Sequence, residues 1–540
     1  MRRVASRNPK AADPQYWLGI IAAREGNNTA IRRYFSKCLE LCPEYSGALA
    51  HYYMGVVHYT DGDYETAVSA LSRYFELADG SDDKDVLAVY DDASNYLHWS
   101  TFLAEAELNQ APYDPKRVRS VCSKHDETMP YLTLDGREYY FMRHVPDRQR
   151  ITVYHSEIQL AHWQLYVSPA DGAAGAGIEL PQLHPAGTEL SSGVSITADG
   201  NELYLSLVSH GNSDIYLSRR ENGQWLPPEP LGPQVNSATA WDAQPTVSPD
   251  GSTLLFASIR SGGQGGIDIW RCHRLPNGDW SRAENLGPAV NTMGNEKCPF
   301  LAADGHTLYF LSDGWQGFGG FDVFFDDLGT SSRPINLGKP INTEADEESF
   351  GVSPDGYQAY TTGRLADSRS SDILDFELYP AARPEPMWLW RTQATDTAGR
   401  PLRATLKMHG RSTYRSVGDS LYVMLSELND NVLTITSDGF MPCIFRLKAK
   451  DVVRRRVGEG VSLLPMAGDA EQHLDLSDST VVNALALWLI DNPRVRIAVE
   501  CPTKAEAERA YAILRLNGIR PDRMTRRGGT DIKQRQIRIL

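Results

Sequence analysis

The residue types that could support catalysis or metal binding are scattered along this 540-residue chain. Its seven cysteines include no Cys-x-x-Cys pair and lie beside no histidine cluster, which argues against a zinc ribbon or a disulfide framework. His51 and His58 are seven residues apart on one predicted helix, where packing or surface roles are far more common than metal ligation. The Gly-x-Ser-x-Gly pentapeptide of serine hydrolases does not occur. We therefore predict no catalytic residues, no metal and no cofactor.

Two glycine-rich runs, at 262–266 and 317–320, could be mistaken for phosphate-binding loops. A phosphate loop leads into a helix, whose N-terminal amides hold the anion. These runs occupy equivalent positions of a repeat and lead into predicted strands. They are therefore predicted to be hairpin loops.

The charge distribution separates an acidic body from a basic end. The net charge is −15, which argues against a general nucleic-acid binder. Residues 491–540, however, hold 12 lysines and arginines against 6 acidic residues, so an anionic partner is expected for that end alone. No apolar run approaches the roughly 18–20 residues that cross a bilayer, so no transmembrane segment is predicted.

An internal repeat of 36 residues marks the first predicted domain, residues 1–115. Residues 16–28 recur at 52–64, and each copy is followed by a second amphipathic stretch. Small residues recur where two helices must approach closely, as at Gly19 and Gly55. The pattern resembles the tetratricopeptide repeat, which implies helical hairpins that bind protein partners. A third helical segment is predicted over about 85–108.

Three short elements recur in phase over the second predicted domain, residues 116–382. They are an Asp-Gly turn before a short apolar strand, an Asp-Ile-Tyr type strand start, and a Leu-Gly element that ends in asparagine. This periodicity predicts antiparallel propeller blades. Five blades are favoured, with the N-terminal strand completing the last one, and six is the alternative if the long first interval hides a blade. The Asp-Gly turns begin at Asp135, Asp199, Asp250, Asp304 and Asp355.

The sequence Ser-Pro-Asp-Gly, at 248–251 and 353–356, followed by Asp-Ile-Tyr/Trp resembles the TolB-type propeller repeat. Related propellers gate prolyl-oligopeptidase-like hydrolases, so a peptidase is the alternative to a binding protein. That enzyme would need a nucleophile elbow in an α/β domain of about 250 residues. Only 160 residues follow the propeller, and they contain no such motif.

Two smaller domains are predicted after a proline-rich break at 380–386. Residues 387–464 alternate apolar and polar side chains, and their turns resemble the carboxypeptidase-regulatory-like β-sandwich. Residues 470–540 switch to α/β. The phrases Gly-Ile-Arg-Pro-Asp-Arg at 518–523 and Gln-Arg-Gln-Ile-Arg-Ile at 534–539 resemble the OmpA C-terminal-like, peptidoglycan-binding family.

That resemblance implies a site for the zwitterionic end of diaminopimelate, with an aspartate holding the ammonium and an arginine holding the carboxylate. Arg509 matches the family arginine and Thr503 a conserved loop residue of the motif, so both are candidate peptidoglycan-binding residues. The family aspartate is replaced by Lys504, and the loop before the helix is about ten residues shorter than usual. The alternative is a degenerate domain kept for its fold or for protein contacts.

The order of the four domains resembles the PorE-like accessory proteins of the type IX secretion system of Bacteroidetes. This resemblance implies a non-enzymatic periplasmic scaffold, associated with the outer membrane, that links secretion-system proteins to peptidoglycan. The family normally begins with a lipoprotein signal, so Met1 is expected to be a truncated or internal start. A rival hypothesis is a protein–protein interaction scaffold, cytoplasmic in its simplest form, whose OmpA-like domain has lost peptidoglycan binding.

Overall fold

An N-terminal helical region is followed by a large multi-sheet β region of propeller type and a final α/β segment. The computed structural model describes residues 2–43, 45–153, 156–173, 175, 177–330, 333–408, 413–415, 420–449, 461–463 and 471–540.

The helical region consists of two hairpins with the same turn chemistry, followed by a longer helix. In each hairpin a glycine with positive φ ends the first helix, Gly26 at 66° and Gly62 at 78°. The next residue, Asn27 or Asp63, caps the second helix by accepting a hydrogen bond from a backbone amide. The helices are α1 Arg2–Arg7, α2 Asp13–Arg24, α3 Asn28–Leu41, α4 Ala48–Thr60, α5 Tyr64–Ala78, α6 Lys84–Leu87 and α7 Tyr90–Leu108.

The repeated glycines lie where the helices of each hairpin are in closest contact. A Cβ added to Gly19 of α2 would lie 2.6 Å from the Phe35 ring of α3. A Cβ added to Gly55 of α4 would lie 2.5 Å from Leu71 Cγ of α5. Phe35 and Leu71 are fully buried, so each glycine admits a large core side chain from the partner helix.

We expect Gly55→Val to lower the free energy of unfolding of the helical region by about 1–3 kcal/mol, since the added carbons would overpack the contact with Leu71. Thermal unfolding followed by circular dichroism at the helix band measures this. Ser69→Ala, on an exposed position of α5, is the matched control. An unchanged midpoint for Gly55→Val would contradict the close contact.

The β region contains five antiparallel sheets among the described residues, and each is called a blade here. Blades 1 to 5 follow chain order. Blade 1 consists of β2 Glu127–Leu132, β3 Glu138–Val153, β4 Ser156–Pro169 and β5 Ile178–Glu179. Blade 2 consists of β6 Thr188–Ile196, β7 Glu202–Ser209, β8 Asn212–Glu221, β9 Gln224–Trp225 and β10 Glu229–Pro230. Blade 3 consists of β11 Asp242–Val247, β12 Thr253–Ser258, β13 Asp268–His273 and β14 Glu284–Asn285.

The last two blades continue this pattern, and blade 5 takes its fourth strand from the N-terminal side of the ring. Blade 4 consists of β15 Glu296–Leu301, β16 Thr307–Ser312, β17 Asp322–Asp327 and β18 Ile335–Asn336. Blade 5 consists of β19 Phe350–Val352, β20 Gln358–Gly363, β21 Asp372–Glu377 and β1 Lys116–Arg117. The long first interval contains the extended β3–β4 hairpin, whose strands have 16 and 14 residues, and no further sheet among its described residues.

Hydrogen bonds connect every neighbouring pair of blades, including blade 5 with blade 1. Apolar clusters fill the space between adjacent blades. Blade 1 meets blade 5 through the Thr128 and Thr362 hydroxyls, 2.9 Å apart, which closes the ring. The other four connections run from Tyr131 Oη to Ile196 O, Gln244 N to Ser206 Oγ, Cys298 N to Gln244 Oε1 and Cys298 Sγ to Glu348 O.

The Leu-Gly and Asp-Ile elements recur together because they bond to each other. The side-chain amide of Asn291 accepts from the backbone N–H of Ile269 at 2.8 Å and donates to its carbonyl at 3.0 Å. Asn236 makes the same two bonds to Ile215, and Asn342 to Val323. Each asparagine therefore pairs with a strand residue as a neighbouring strand would.

The predicted 387–464 domain contains paired strands among its described residues. Residues 409–412, 416–419, 450–460 and 464 of this range lie outside the described residues. Strands β22 Met387–Thr392 and β26 Leu421–Ser426 pair antiparallel. A four-stranded sheet has the order β25 Thr413–Arg415, β24 Thr405–Met408, β27 Asn431–Thr436 and β28 Cys443–Leu447, and β23 Ala394–Thr395 pairs parallel with β29 Val461–Ser462.

The final segment is a mixed four-stranded sheet with two helices. Apolar residues of the first helix share a core with the sheet and with side chains of β27 and β28. Its elements are β30 Glu471–His473, α8 Ser479–Asp491, β31 Ile497–Cys501, α9 Lys504–Leu516, β32 Met524–Gly528 and β33 Gln536–Ile539, in the sheet order β30-β33-β31-β32. Among the described residues of the whole chain, no helix is long and apolar enough to span a membrane.

Candidate functional site

Thr503 lies at the start of α9 and contributes to the local fold. Its hydroxyl caps the helix by accepting from the backbone N–H of Glu506 at 3.3 Å. Only Pro502 and Thr503 connect β31 to α9, so the shortened loop predicted from the sequence is a two-residue turn. The helix start is also crowded, because a Cβ on Gly528 would lie 2.4 Å from the Lys504 Cα.

Arg509 lies one and a half turns further along α9, with its side chain exposed. Its acidic neighbours on the helix are already paired, Glu506 with Arg535 at 2.6 Å and Glu508 with Arg526 at 2.7 Å. Among the described residues, no carboxylate lies within ion-pair distance of the Arg509 guanidinium. This guanidinium is therefore accessible to an anion from outside the chain.

The two predicted site residues have different roles at the start of α9. Thr503 precedes the helix as its N-cap, with extended backbone, and Arg509 lies about 140° around the helix axis from Lys504, the first helical residue. The Thr503 hydroxyl is bonded to the backbone of α9. Of the predicted pair, only Arg509 has a side chain free for ligand contact.

The propeller channel contains a cavity of about 60 Å³ that is lined by residues of all five blades. A cavity of this size holds only a few water molecules. Met129, Gln244 and Cys298 lie at bulges of three inner strands, with φ between 50° and 57°, the left-handed region. Burial raises the pKa of the Cys298 thiol to about 12, so this thiol is a poor nucleophile at neutral pH.

The aspartates of the repeated Asp-Ile elements meet acids of the neighbouring blade, a contact that the repeat pattern alone does not reveal. In blades 2 to 5 the aspartate near the start of the third strand faces the acid at the start of the next blade, and blade 1 follows blade 5. The pairs are Asp214 with Asp242, Asp268 with Glu296, Asp322 with Glu347, and Asp372 with Glu127. Burial and then the neighbouring charge raise the pKa of Asp214, and burial is also the largest cause of the raised pKa of Glu296.

Arginines neutralise two of these junctions. Arg143 donates to Glu127 at 2.7 Å, and Arg117 donates to Asp372 at 2.8 Å. Arg260 donates to the fully buried Asp242. The sequence contains an indication of these acid–arginine pairs. Arg143 follows Glu127 by 16 residues, and the same interval leads from Asp242 to Ser258, two residues before Arg260.

One group of side chains at blade 1 has the spacing of a metal site. Single ligand atoms of Cys122, Glu127 and Asp372 lie within 4.8 Å of one another. The carboxylates are already paired with Arg143 and Arg117, and burial raises the pKa of the Cys122 thiol to about 12. The group is therefore already charge-compensated without an ion.

The glycine-rich loops wrap around the repeated aspartates, in agreement with their predicted role as hairpin loops. Gln264 N donates to Asp268 Oδ2 at 2.6 Å, and Phe318 N donates to Asp322 Oδ2 at 2.7 Å. A side chain at Gly263 or Gly317 would overlap these carboxylates. The glycines are thus needed for close approach to an internal anion.

The two histidines of α4 have separate partners. His51 Nε2 lies 3.0 Å from the Tyr45 carbonyl, and His58 Nδ1 lies 3.1 Å from Asp63 Oδ2. These contacts serve the local structure of α4 and the turn that follows it.

No protein-family model matches this chain, and no curated protein matches its sequence significantly. Among solved structures, it is similar to TolB from Acinetobacter baumannii, with 18% identity and a TM-score of 0.30 over 48% of this chain and 56% of TolB. It is also similar to a puromycin hydrolase, with 16% identity and a TM-score of 0.29 over 54% of this chain and 44% of the hydrolase. A luciferin-regenerating enzyme matches with 11% identity and a TM-score of 0.30 over 48% of this chain and 94% of the enzyme.

The chain thus spans about half the length of the TolB and puromycin hydrolase structures it matches. Because every TM-score is below 0.5, the propeller assignment rests on the five described sheets and their connections.

Proposed function

We propose that this chain is a non-enzymatic periplasmic scaffold of the PorE-like kind. Its helical hairpins and propeller bind secretion-system proteins at the outer membrane, and its OmpA-like final segment binds peptidoglycan. The small cavity in the channel and the raised pKa of Cys298 favour a scaffold over an enzyme that works in the channel. The basic excess of residues 491–540 favours an anionic ligand for the final segment.

The accessible guanidinium of Arg509 is the observation that carries the peptidoglycan proposal. A guanidinium forms charge-assisted hydrogen bonds with a carboxylate such as that of the diaminopimelate end. Two nearby arginines, Arg526 of β32 and Arg535 just before β33, are paired with acids of α9 and are less available. Arg509 would therefore make the principal contact with the cell wall.

The test is co-sedimentation of the full chain with purified sacculi. Arg509→Ala is expected to weaken binding about tenfold or more, because a hydrogen bond to a charged group contributes about 1.5–3 kcal/mol. Arg515→Ala is the matched control, since Arg515 is also exposed on α9 and its loss changes the net charge equally. Equal loss of binding in both variants would indicate non-specific attraction to a basic surface.

The second candidate function is a protein–protein interaction scaffold whose final segment has lost peptidoglycan binding. The capping role of Thr503 and the two-residue connection before α9 favour it, because the Thr503 hydroxyl is bonded to the helix backbone and Lys504 occupies the position of the family aspartate. If the unaltered chain does not sediment with sacculi, this second function replaces the first.

A further inference from the structure

Glu347, at the junction between blades 4 and 5, differs from Glu127, Asp242 and Glu296, the acids that begin blades 1, 3 and 4. Glu347 follows the blade pattern, and position 363, sixteen residues later, is occupied by glycine. The equivalent positions hold Arg143 in blade 1, Ser258 in blade 3 and Ser312 in blade 4. In blade 3 a guanidinium two residues further along, Arg260, reaches the acid.

Glu296, the equivalent acid of blade 4, needs no arginine because three donors surround it. The backbone N–H and hydroxyl of Thr292 donate to its two oxygens at 2.8 and 2.6 Å. Ser312 Oγ donates a third bond at 2.7 Å. In blade 5 the position equivalent to Ser312 is occupied by Gly363, so this third donor is absent.

Glu347 therefore retains a buried oxygen that no hydrogen bond satisfies. Its residue is 9% exposed. Thr343 donates to Oε1 through its backbone N–H at 2.9 Å and its hydroxyl at 2.8 Å. Oε2 is buried and has no hydrogen-bond partner among the described residues.

This oxygen belongs to an acidic pair across the junction. The backbone N–H of Glu347 donates to the Phe321 carbonyl at 2.8 Å, which places it beside the fully buried Asp322. Asp322 Oδ2 accepts from Phe318 N and from Asn336 Nδ2 at 2.8 Å. Two N–H donors therefore satisfy this oxygen of Asp322.

We propose that the carboxylates of Asp322 and Glu347 bind a hard divalent cation, calcium or magnesium, at the blade 4–5 junction. The cation takes the place that the guanidinium of Arg260 or Arg143 has at the equivalent junctions. Carboxylate oxygens are the preferred ligands of both ions, and water supplies the remaining ones. A proton on Glu347 Oε2 is the alternative to a cation, and the two differ in that only a cation site gives heat and stabilisation when calcium or magnesium is added.

The test uses the full chain stripped with EDTA at neutral pH and titrated separately with calcium chloride and magnesium chloride. Calorimetry is expected to show binding of one cation per chain, and the melting temperature is expected to rise with cation concentration. Glu347→Gln, which keeps the shape and removes the charge, should weaken binding at least tenfold. Glu348→Gln is the matched control, because this neighbouring side chain is exposed and should leave binding unchanged.

A second variant provides a test that does not depend on the loss of a ligand. Leu365 lies two residues after Gly363, as Arg260 lies two residues after Ser258. Leu365→Arg should raise the melting temperature of the stripped protein and abolish its response to the cation. The proposal is overturned if stripped wild-type protein shows neither heat nor stabilisation with either ion at millimolar concentration, or if Glu347→Gln binds as tightly as wild type.

Discussion

Replacing Arg143 with methionine is expected to lower the free energy of unfolding by about 3–5 kcal/mol. The guanidinium neutralises Glu127, which is fully buried, and it also donates to the Val121 carbonyl at 2.7 Å. Methionine preserves most of the packing against Phe141 and Tyr166 and removes the charge. The cost therefore arises from an uncompensated buried carboxylate.

The pH dependence of Arg143→Met distinguishes this cause from a packing defect. Burial already raises the pKa of Glu127, and loss of the guanidinium would raise it further. The folded variant then keeps a proton that the unfolded chain has released, so its stability falls as pH rises from the unfolded pKa through the folded one. Urea unfolding at about pH 5 and about pH 8 should show the larger loss at the higher pH. An equal loss of stability at both pH values would indicate a packing defect instead. So would a double variant, Glu127→Gln/Arg143→Met, that is no more stable than Arg143→Met.

Asn291→Leu is expected to destabilise the chain by about 2–6 kcal/mol, since it leaves two buried backbone groups without partners at about 1–3 kcal/mol each. Asn291 is 1% exposed and bonds both the N–H and the carbonyl of Ile269. Leucine has the same number of side-chain heavy atoms and the same branching at Cγ, but it can neither donate nor accept these hydrogen bonds. Urea unfolding measures it.

Asn277→Ala is the control for Asn291→Leu. Asn277 lies in the exposed turn after β13 and bonds only to Asp279 through the described side-chain contacts. Its removal should change stability by less than about 0.5 kcal/mol. A comparable loss in both variants would mean that Asn291 does not connect the two repeated elements.

The elements of the propeller could be predicted from the sequence because their turns are local. At Asp250 the carboxylate accepts from Ser252 N and from the hydroxyl of Ser248, and Gly251 has a φ of 70°. Aspartate, serine and glycine supply this turn by their own chemistry, whatever surrounds it. The same holds for the Gly-Asn and Gly-Asp turns of the helical hairpins.

The junctions of the propeller could not be predicted from sequence, since their pairs form only when the ring brings distant strands together. Asp372 and Glu127 are 245 residues apart. The interval of 16 residues between Glu127 and Arg143 was visible, but a hairpin pairing does not reveal which acid of another blade lies beside Glu127. The missing partner of Glu347 became apparent only by comparing the blades.

The candidate site in the final segment shows a different limit. Family resemblance assigned Thr503 and Arg509 to one ligand, whereas in the structure Thr503 caps α9 and Arg509 lies further along the helix. The order of residues in a motif does not show where their side chains lie around a helix when the loop before that helix is shortened. The site prediction for Arg509 still awaits the sacculus experiment.

The pairing of β1 with β21 has a consequence for how the protein is made. Lys116 pairs with Asp375, so the strand that completes blade 5 leaves the ribosome long before its partner. At about 5–20 residues per second, β1 waits about 10–50 s for β21 to be synthesised. Until then β1 has no partner strand, and the side of blade 1 that faces blade 5 is uncovered. During this time the nascent chain can form wrong strand pairs or be bound by a chaperone.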